Sequence, residues 1–274
     1  MTASHGSDTP GSINPGTPDD PDTELSILPA ATAEPARRSA DDDHDAPIEP
    51  ADNNAVGESD DVLVTARGLD FGAGPRRVFA GLDFQLPVGT LGAVHGSTGS
   101  GRSTLLLALI GRAPKLHGRL QVAGYDALRP GKALRQITTA ARIATVVDVE
   151  PKHSIRDAVA DRAVIDGISN GPARRTFTDL TDRLALDVAA DDLVEDLDAY
   201  RQTLLALILA ALRPSKLLVL DDLDRGLNLD DQDRLYDAIG RLMDYTGSTV
   251  VISTVEAASI PDHAEVITLP SLTA

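Results

Sequence analysis

From about residue 61 onward, short apolar runs alternate with longer stretches in which apolar residues recur at helical spacing. Val62-Leu63-Val64, Arg77-Val78-Phe79 and Leu82-Asp83-Phe84-Gln85-Leu86 read as short strands. Leu91-Gly92-Ala93-Val94 reads as a buried strand entering a Gly/Ser-rich loop, and residues 103–110 continue from that loop as an apolar helix. A further strand and turn are expected at 120–124. Residues 143–147, Ile-Ala-Thr-Val-Val, form a continuous run rich in β-branched side chains and predict a strand buried on both faces. Helical sequence fills about 155–213, and Leu217-Leu218-Val219-Leu220 is again a buried strand, ending in Asp221-Asp222. Leu235, Ile239 and Leu242 fall on one helical face. Residues 249–253 predict another strand and 264–269 an edge strand. Strands alternating with helices predict an α/β fold, a mainly parallel sheet covered on both faces. Such sheets bind ligands at the carboxyl ends of their strands.

The first 60 residues break this pattern. They hold no Phe, Tyr or Trp, are rich in Pro, Ser, Thr and Gly, and carry 14 acidic against 2 basic side chains. They thus contribute −12 of the chain's net charge of −17. A segment with so little apolar surface cannot offset its ordering entropy, so 1–60 is expected to be a disordered acidic tail, either solubilising or an interaction tail. The remaining residues, 61–274, are enough for one α/β domain. The acidity argues against a nucleic-acid partner. There is no cysteine, which removes disulfides and thiolate metal sites. The longest apolar stretch, 204–212, is far short of the roughly 20 residues of a membrane span. With no signal-peptide pattern at the start, a soluble cytoplasmic protein is expected.

The loop carries the chemistry. Gly96-Ser97-Thr98-Gly99-Ser100-Gly101-Arg102-Ser103-Thr104 follows the phosphate-binding pattern Gly-x-x-x-x-Gly-Lys-[Ser/Thr], with Arg102 in place of the lysine. Glycines let backbone N–H groups converge on one anion, and the following helix aims its positive end at it. The hydroxyl of Ser103 would ligate Mg²⁺. Asp221, ending an apolar strand more than a hundred residues later, stands where such folds place the Walker B carboxylate that holds Mg²⁺.

With these two halves in order, the chain resembles the nucleotide-binding domain of ATP-binding cassette (ABC) proteins over essentially all of 61–274. Residues 201–207 through 216–222 align without a gap on that family's signature helix and Walker B strand, and Gly226-Leu227-Asn228 falls at its D-loop. The resemblance implies a P-loop fold with a mainly parallel sheet, a small antiparallel β part and a helical subdomain near 155–200. It implies ATP and Mg²⁺ as cofactors. It places Phe71 against the adenine, the alternative being a core residue beside a turn. It also places Asp148 at the Q-loop near the metal and Asp222 as the general base, one methylene shorter than the family's glutamate.

Two positions depart further. Asp196-Leu197-Asp198-Ala199-Tyr200 replaces the family's Leu-Ser-Gly-Gly-Gln signature, and Val255 replaces its switch histidine. The expectation is an ATP-binding subunit with weak hydrolysis, peripheral on the inner face of the cell membrane. It would serve a separate membrane-spanning permease and pair as a homodimer or heterodimer with another nucleotide-binding domain. An ABC-like ATP-sensing regulator or scaffold, and a vestigial domain that binds no nucleotide, are the alternatives.

Overall fold

A computed structural model of the protein describes residues 61–72, 77–113, 116–144 and 146–270; the expected acidic tail lies outside them. Two sheets form the framework. The first is antiparallel, in the order β2-β1-β4-β5, from β1 (Val62–Phe71), β2 (Phe79–Pro87), β4 (Leu116–Val122) and β5 (Tyr125–Asp126). The second is parallel, in the order β6-β7-β8-β3-β9, from β3 (Leu91–His95), β6 (Thr138–Arg142), β7 (Leu217–Leu220), β8 (Thr249–Thr254) and β9 (Glu265–Thr268). The helices are α1 (Arg102–Leu109), α2 (Lys132–Ile137), α3 (Ile155–Asp166), α4 (Asn170–Leu184), α5 (Ala199–Ala210) and α6 (Leu229–Thr246).

Side-chain alternation explains why the strands of the parallel sheet read as unbroken apolar runs. Leu217, Val219 and Val251 face α1 and the antiparallel sheet. Leu218, Leu220, Val250 and Ile252 face the helices α3 to α6. With both faces covered, apolar side chains are favoured at successive positions. All strands of this sheet run the same way, so the loop after β3, the aspartates after β7 and the end of β8 meet at one rim.

The expected strand at 143–147 is not formed. The pairing segment is β6, five residues earlier, in parallel register with β7. Thr138, Thr139 and Arg142 make β6 look polar, yet all five of its residues are buried. Their polar groups are satisfied: Thr138 Oγ1 donates to the Leu134 carbonyl, Thr139 Oγ1 to the Ala210 carbonyl, and Arg142 to partners described below. The apolar run folds back on itself instead. Ile143 and Val147 exchange backbone hydrogen bonds at 2.8 and 2.9 Å, and Val146 is exposed. The two runs at 77–79 and 82–86 also change: Phe79 and residues 82–86 belong to one strand, β2, that carries register shifts against β1, while Arg77 and Val78 precede it.

The helical stretch resolves into α3, α4, a short 3₁₀ turn at Val194–Asp196, and α5. Arg162 of α3 fixes this subdomain to the sheet. Its Nε donates to Asp166 at 2.6 Å, while its two Nη atoms donate to the Ala140 carbonyl and to Thr139 Oγ1. Arg213 reaches the same carboxylate at 3.5 Å and donates to the Thr138 carbonyl.

Candidate functional site

The loop leaving β3 has the backbone that its sequence predicts. Gly99 and Gly101 sit at φ 83° and 96°, the left-handed region where a side chain is strained. At Gly101 a Cβ would also press within 2.8 Å of Val78 and Phe79, so the antiparallel sheet abuts the loop at this point. Ser97, Thr98 and Gly99 are exposed, Ser103 and Thr104 half-buried, and Ser100 buried with no partner for its hydroxyl among the described residues. Helix α1 starts at Arg102 with no side-chain cap and no acidic residue in its first turn. Its positive end is therefore uncompensated by its own sequence, which is the electrostatic setting for an anion. These features fit phosphate groups.

Arg102 is engaged within the protein. It is 9% exposed, and its Nη1 donates to the carbonyl of Gly96 at 2.5 Å. Its Nη2 donates to Asp222 Oδ1 at 2.7 Å. The residue expected as a general base is thus the counter-ion of the residue expected to hold phosphate. Asp222 has φ 45°, uncommon for a residue with a side chain, though aspartate tolerates it better than most. Two bonds hold that backbone: its N–H donates to Ser253 Oγ at 2.9 Å, and its carbonyl accepts from Arg142 Nη2 at 2.8 Å.

Asp221 is 1% exposed. Its Oδ1 accepts the Ser253 hydroxyl at 2.5 Å and its Oδ2 the Ala144 N–H at 3.4 Å, so the buried carboxylate is oriented from β8 and from the turn after β6. Ser253 therefore serves both aspartates, accepting from one backbone and donating to the other's side chain. Arg142 braces the same corner from β6. It also donates from Nη1 to Thr203 Oγ1 of α5 at 3.0 Å, and burial holds its guanidinium below the ordinary arginine pKa.

Sequence reasoning missed Ser253 and Arg142. The available signal was a serine closing the otherwise apolar run of β8, and a lone arginine beside the run mistaken for a strand. Asp148, expected near the metal, is exposed and lies 3.7 Å from Arg225. Among the described residues no group of three or more His, Asp or Glu could hold a metal. Phe71 ends β1, half-buried, its ring 5.9 Å from that of Phe79, the residue that abuts Gly101. It is thus both a packed residue and a neighbour of the loop.

The segment 196–200 starts α5. Asp198 is its N-cap, accepting the Arg201 N–H at 2.8 Å, and Gln202 Nε2 donates to the carbonyls of Val194 and Leu197. The guanidinium of Arg234 stacks over Tyr200 at 4.3 Å. This helix end is closed by its own carboxylate, with Asp196 exposed beside it. Val255 is 45% exposed, and its N–H donates to Asp224 at 3.1 Å.

Comparison with known proteins identifies the family. The sequence is 26% identical over 204 residues to the zinc import ATP-binding protein ZnuC of Magnetococcus marinus, covering 70% of this chain and 67% of that protein. It is 27% identical over 198 residues to the autoinducer 2 import ATP-binding protein LsrA of an Enterobacter species, 70% of this chain but only 38% of that one. Among solved structures, cbiO1 of Clostridium perfringens, part of the ABC transporter complex cbiONQ, superposes with a TM-score of 0.65 at 17% identity. That match covers 76% of this chain and 85% of the other, and it shares the fold. The family profile described as ABC transporter matches residues 79–224, more than half of the chain. The span from β2 to the residues after Asp221 is thus that of a known family, and the protein belongs to the ABC transporters.

Proposed function

We propose that this chain is the ATP-binding subunit of an ABC transporter whose membrane-spanning part is a separate chain, and that it binds Mg-ATP but hydrolyses it slowly. One observation carries the nucleotide reading. The left-handed glycines and the uncapped start of α1 lie at the same rim of the parallel sheet as the buried, oriented carboxylate of Asp221. Backbone N–H groups of residues 96–104 would hold the phosphates, with Phe71 at the base. Ser103 and Asp221 would hold Mg²⁺, whose chemistry is to bridge and neutralise phosphate oxygens. A titration with Mg-ATP tests this: saturable binding below millimolar is expected, and Ser103→Ala should lose Mg²⁺ dependence before it loses all affinity. No binding at millimolar ATP ends the reading.

Slow turnover rests on the chain's own groups. One oxygen of the Asp222 carboxylate is held by Arg102, so this candidate base is also the counter-ion of a cation. A second copy or another nucleotide-binding domain would meet the carboxylates Asp196 and Asp198 where the family presents its Leu-Ser-Gly-Gly-Gln signature, and Val255 has no polar side-chain atom to offer phosphate.

A partner in the membrane is supported by two features. No helix among the described residues is long and apolar enough to cross a membrane. A groove of about 730 Å³ runs between α2, the turn after β6 and α3. Val146 and Ile165 line it, 54% and 76% exposed, beside Arg112, Lys132 and Arg135. Exposed apolar side chains grouped at one groove mark a contact surface. The protein would then sit peripherally on the inner face of the membrane. The closed start of α5 favours a second reading, an ATP-sensing regulator that does not drive transport. Copurification from native membranes with a membrane-spanning chain separates the two.

A further inference from the structure

Arg102 and Asp222 hold each other across the loop, and we infer that this pair is a latch: Asp222 competes with phosphate for the loop's own cation and sets how tightly nucleotide binds. The inference rests on the reading that residues 96–104 bind phosphate.

The geometry is specific to arginine. A lysine ammonium is a compact point charge, whereas the guanidinium fork offers separate donors in fixed directions. Here one arm reaches the Gly96 carbonyl, at the start of the loop, and the other reaches Asp222, after β7. One side chain thus ties the two ends of the loop to the segment after β7 that holds Asp221. The carboxylate side is fixed as well. Asp222 is pinned in a left-handed conformation by Ser253 from one direction and Arg142 from another, so its carboxylate is delivered to Arg102 by the backbone. A strained residue held this firmly at a functional rim indicates a role for the position it adopts. The closed arrangement is also incomplete. Arg102 Nε and Ser100 Oγ are both buried without partners among the described residues. Unpaired polar atoms beside the ion pair make it exchangeable for a ligand that satisfies more of them, and phosphate oxygens are such acceptors. Phosphate entering here meets a cation already neutralised and a carboxylate that repels it. Opening the latch removes both obstacles.

The test is a double-mutant cycle on the full chain with Arg102→Ala, Asp222→Ala and the double variant, using Mg-ATP as the probe. Equilibrium binding is measured first, then melting without nucleotide. Asp222→Ala should tighten Mg-ATP by about tenfold when Arg102 is present, within the usual range of coupling between sites, and by less than about twofold when Arg102 is absent. Melting should show the same coupling: each single variant lowers the melting temperature, and the double variant falls no further than the worse single. Equal tightening in both backgrounds would mean that any lost negative charge suffices, and overturns the latch. Unchanged or weaker binding in Asp222→Ala, with the unaltered chain still binding, overturns the latch and leaves the nucleotide reading standing. Failure of all four proteins to bind at millimolar Mg-ATP overturns both. If Asp222→Ala does not fold, Asp222→Asn keeps the shape, tolerates the left-handed backbone and takes its place in the cycle under the same criteria.

Discussion

The phosphate loop and the start of α5 are both helix N-termini at candidate nucleotide-binding segments, and they are built in different ways. The loop keeps its backbone: the left-handed glycines, the uncapped helix and the oriented Asp221 remain, and the change is in where one cation points. At α5 the backbone end itself is used up. Asp198 caps the helix, Tyr200 is stacked under Arg234, and Asp196 adds charge beside it. A side-chain ion pair can be exchanged for a ligand. A helix end whose N–H groups are bound by a carboxylate from the same turn repels an anion for as long as the helix is capped. The loop is therefore expected to accept nucleotide, and the α5 end to fail in presenting a second chain to it.

The largest expected effect tests that asymmetry directly. Purified chain should turn over ATP well below about 1 s⁻¹, because loss of a positioned base or a transition-state donor each costs on the order of 10²-fold. A combined Arg102→Lys, Asp222→Glu and Val255→His variant repairs only the loop side. It should gain activity only when a partner domain with an intact signature is supplied. A gain without such a partner would show that 196–200 is not the defective half, and the comparison would fail.

Next in size is the brace that joins the two regions. Arg142 links the backbone of Asp221 and Asp222 to Thr203 of α5 from a buried position. Arg142→Leu leaves those acceptors unpaired and should cost on the order of 3 kcal/mol. For a domain of this size that is roughly a 6–12 °C fall in melting temperature. A fall of less than about 2 °C would mean that the regions are not coupled through this side chain.

A smaller effect is expected at the cap. Asp198→Ala should destabilise by about 1 kcal/mol, whereas Asp198→Gly should cost only a few tenths while freeing the helix end. If neither variant shifts the melting curve, the helix is not capped in solution as described.

The smallest effect concerns the neighbouring helix α3, whose cap works by the same principle. The Ser154 hydroxyl donates to Asp157 and accepts its N–H, and this bond holds the Asp157 pKa below its ordinary value. A lowered folded pKa means that the contribution is present above the unfolded pKa and is lost as pH falls through the folded one. Between about pH 5 and 3 the unaltered chain should lose slightly more stability than Asp157→Asn does. Identical acid profiles would remove Asp157 from the account.

Much of the site was legible because its signals are local. Glycines at fixed offsets, a hydroxyl after the cation and two aspartates closing an apolar strand each identify a position without knowledge of its neighbours. The misplaced strand at 143–147 shows the limit of this kind of reading. Apolarity there was real, but the sheet took residues 138–142, whose threonines and arginine are satisfied by Leu134, Ala210 and Thr203, partners that no sequence window contains. Ser253 and Arg142 escaped notice for the same reason, since each matters only through bonds to residues 31 and 61 positions or more away.

What the sequence determined by itself was the alternation of buried strands and helices, the loop that can cradle an anion, and the loss of glycines at 196–200. These follow from side-chain period, backbone freedom and charge, which are properties of short segments. The tertiary structure alone decided which apolar run pairs in the sheet and where the guanidinium of Arg102 points. Its carboxylate partner lies 120 positions away, and only the packing of β3 beside β8, and of β8 beside β7, brings the two within hydrogen-bond distance.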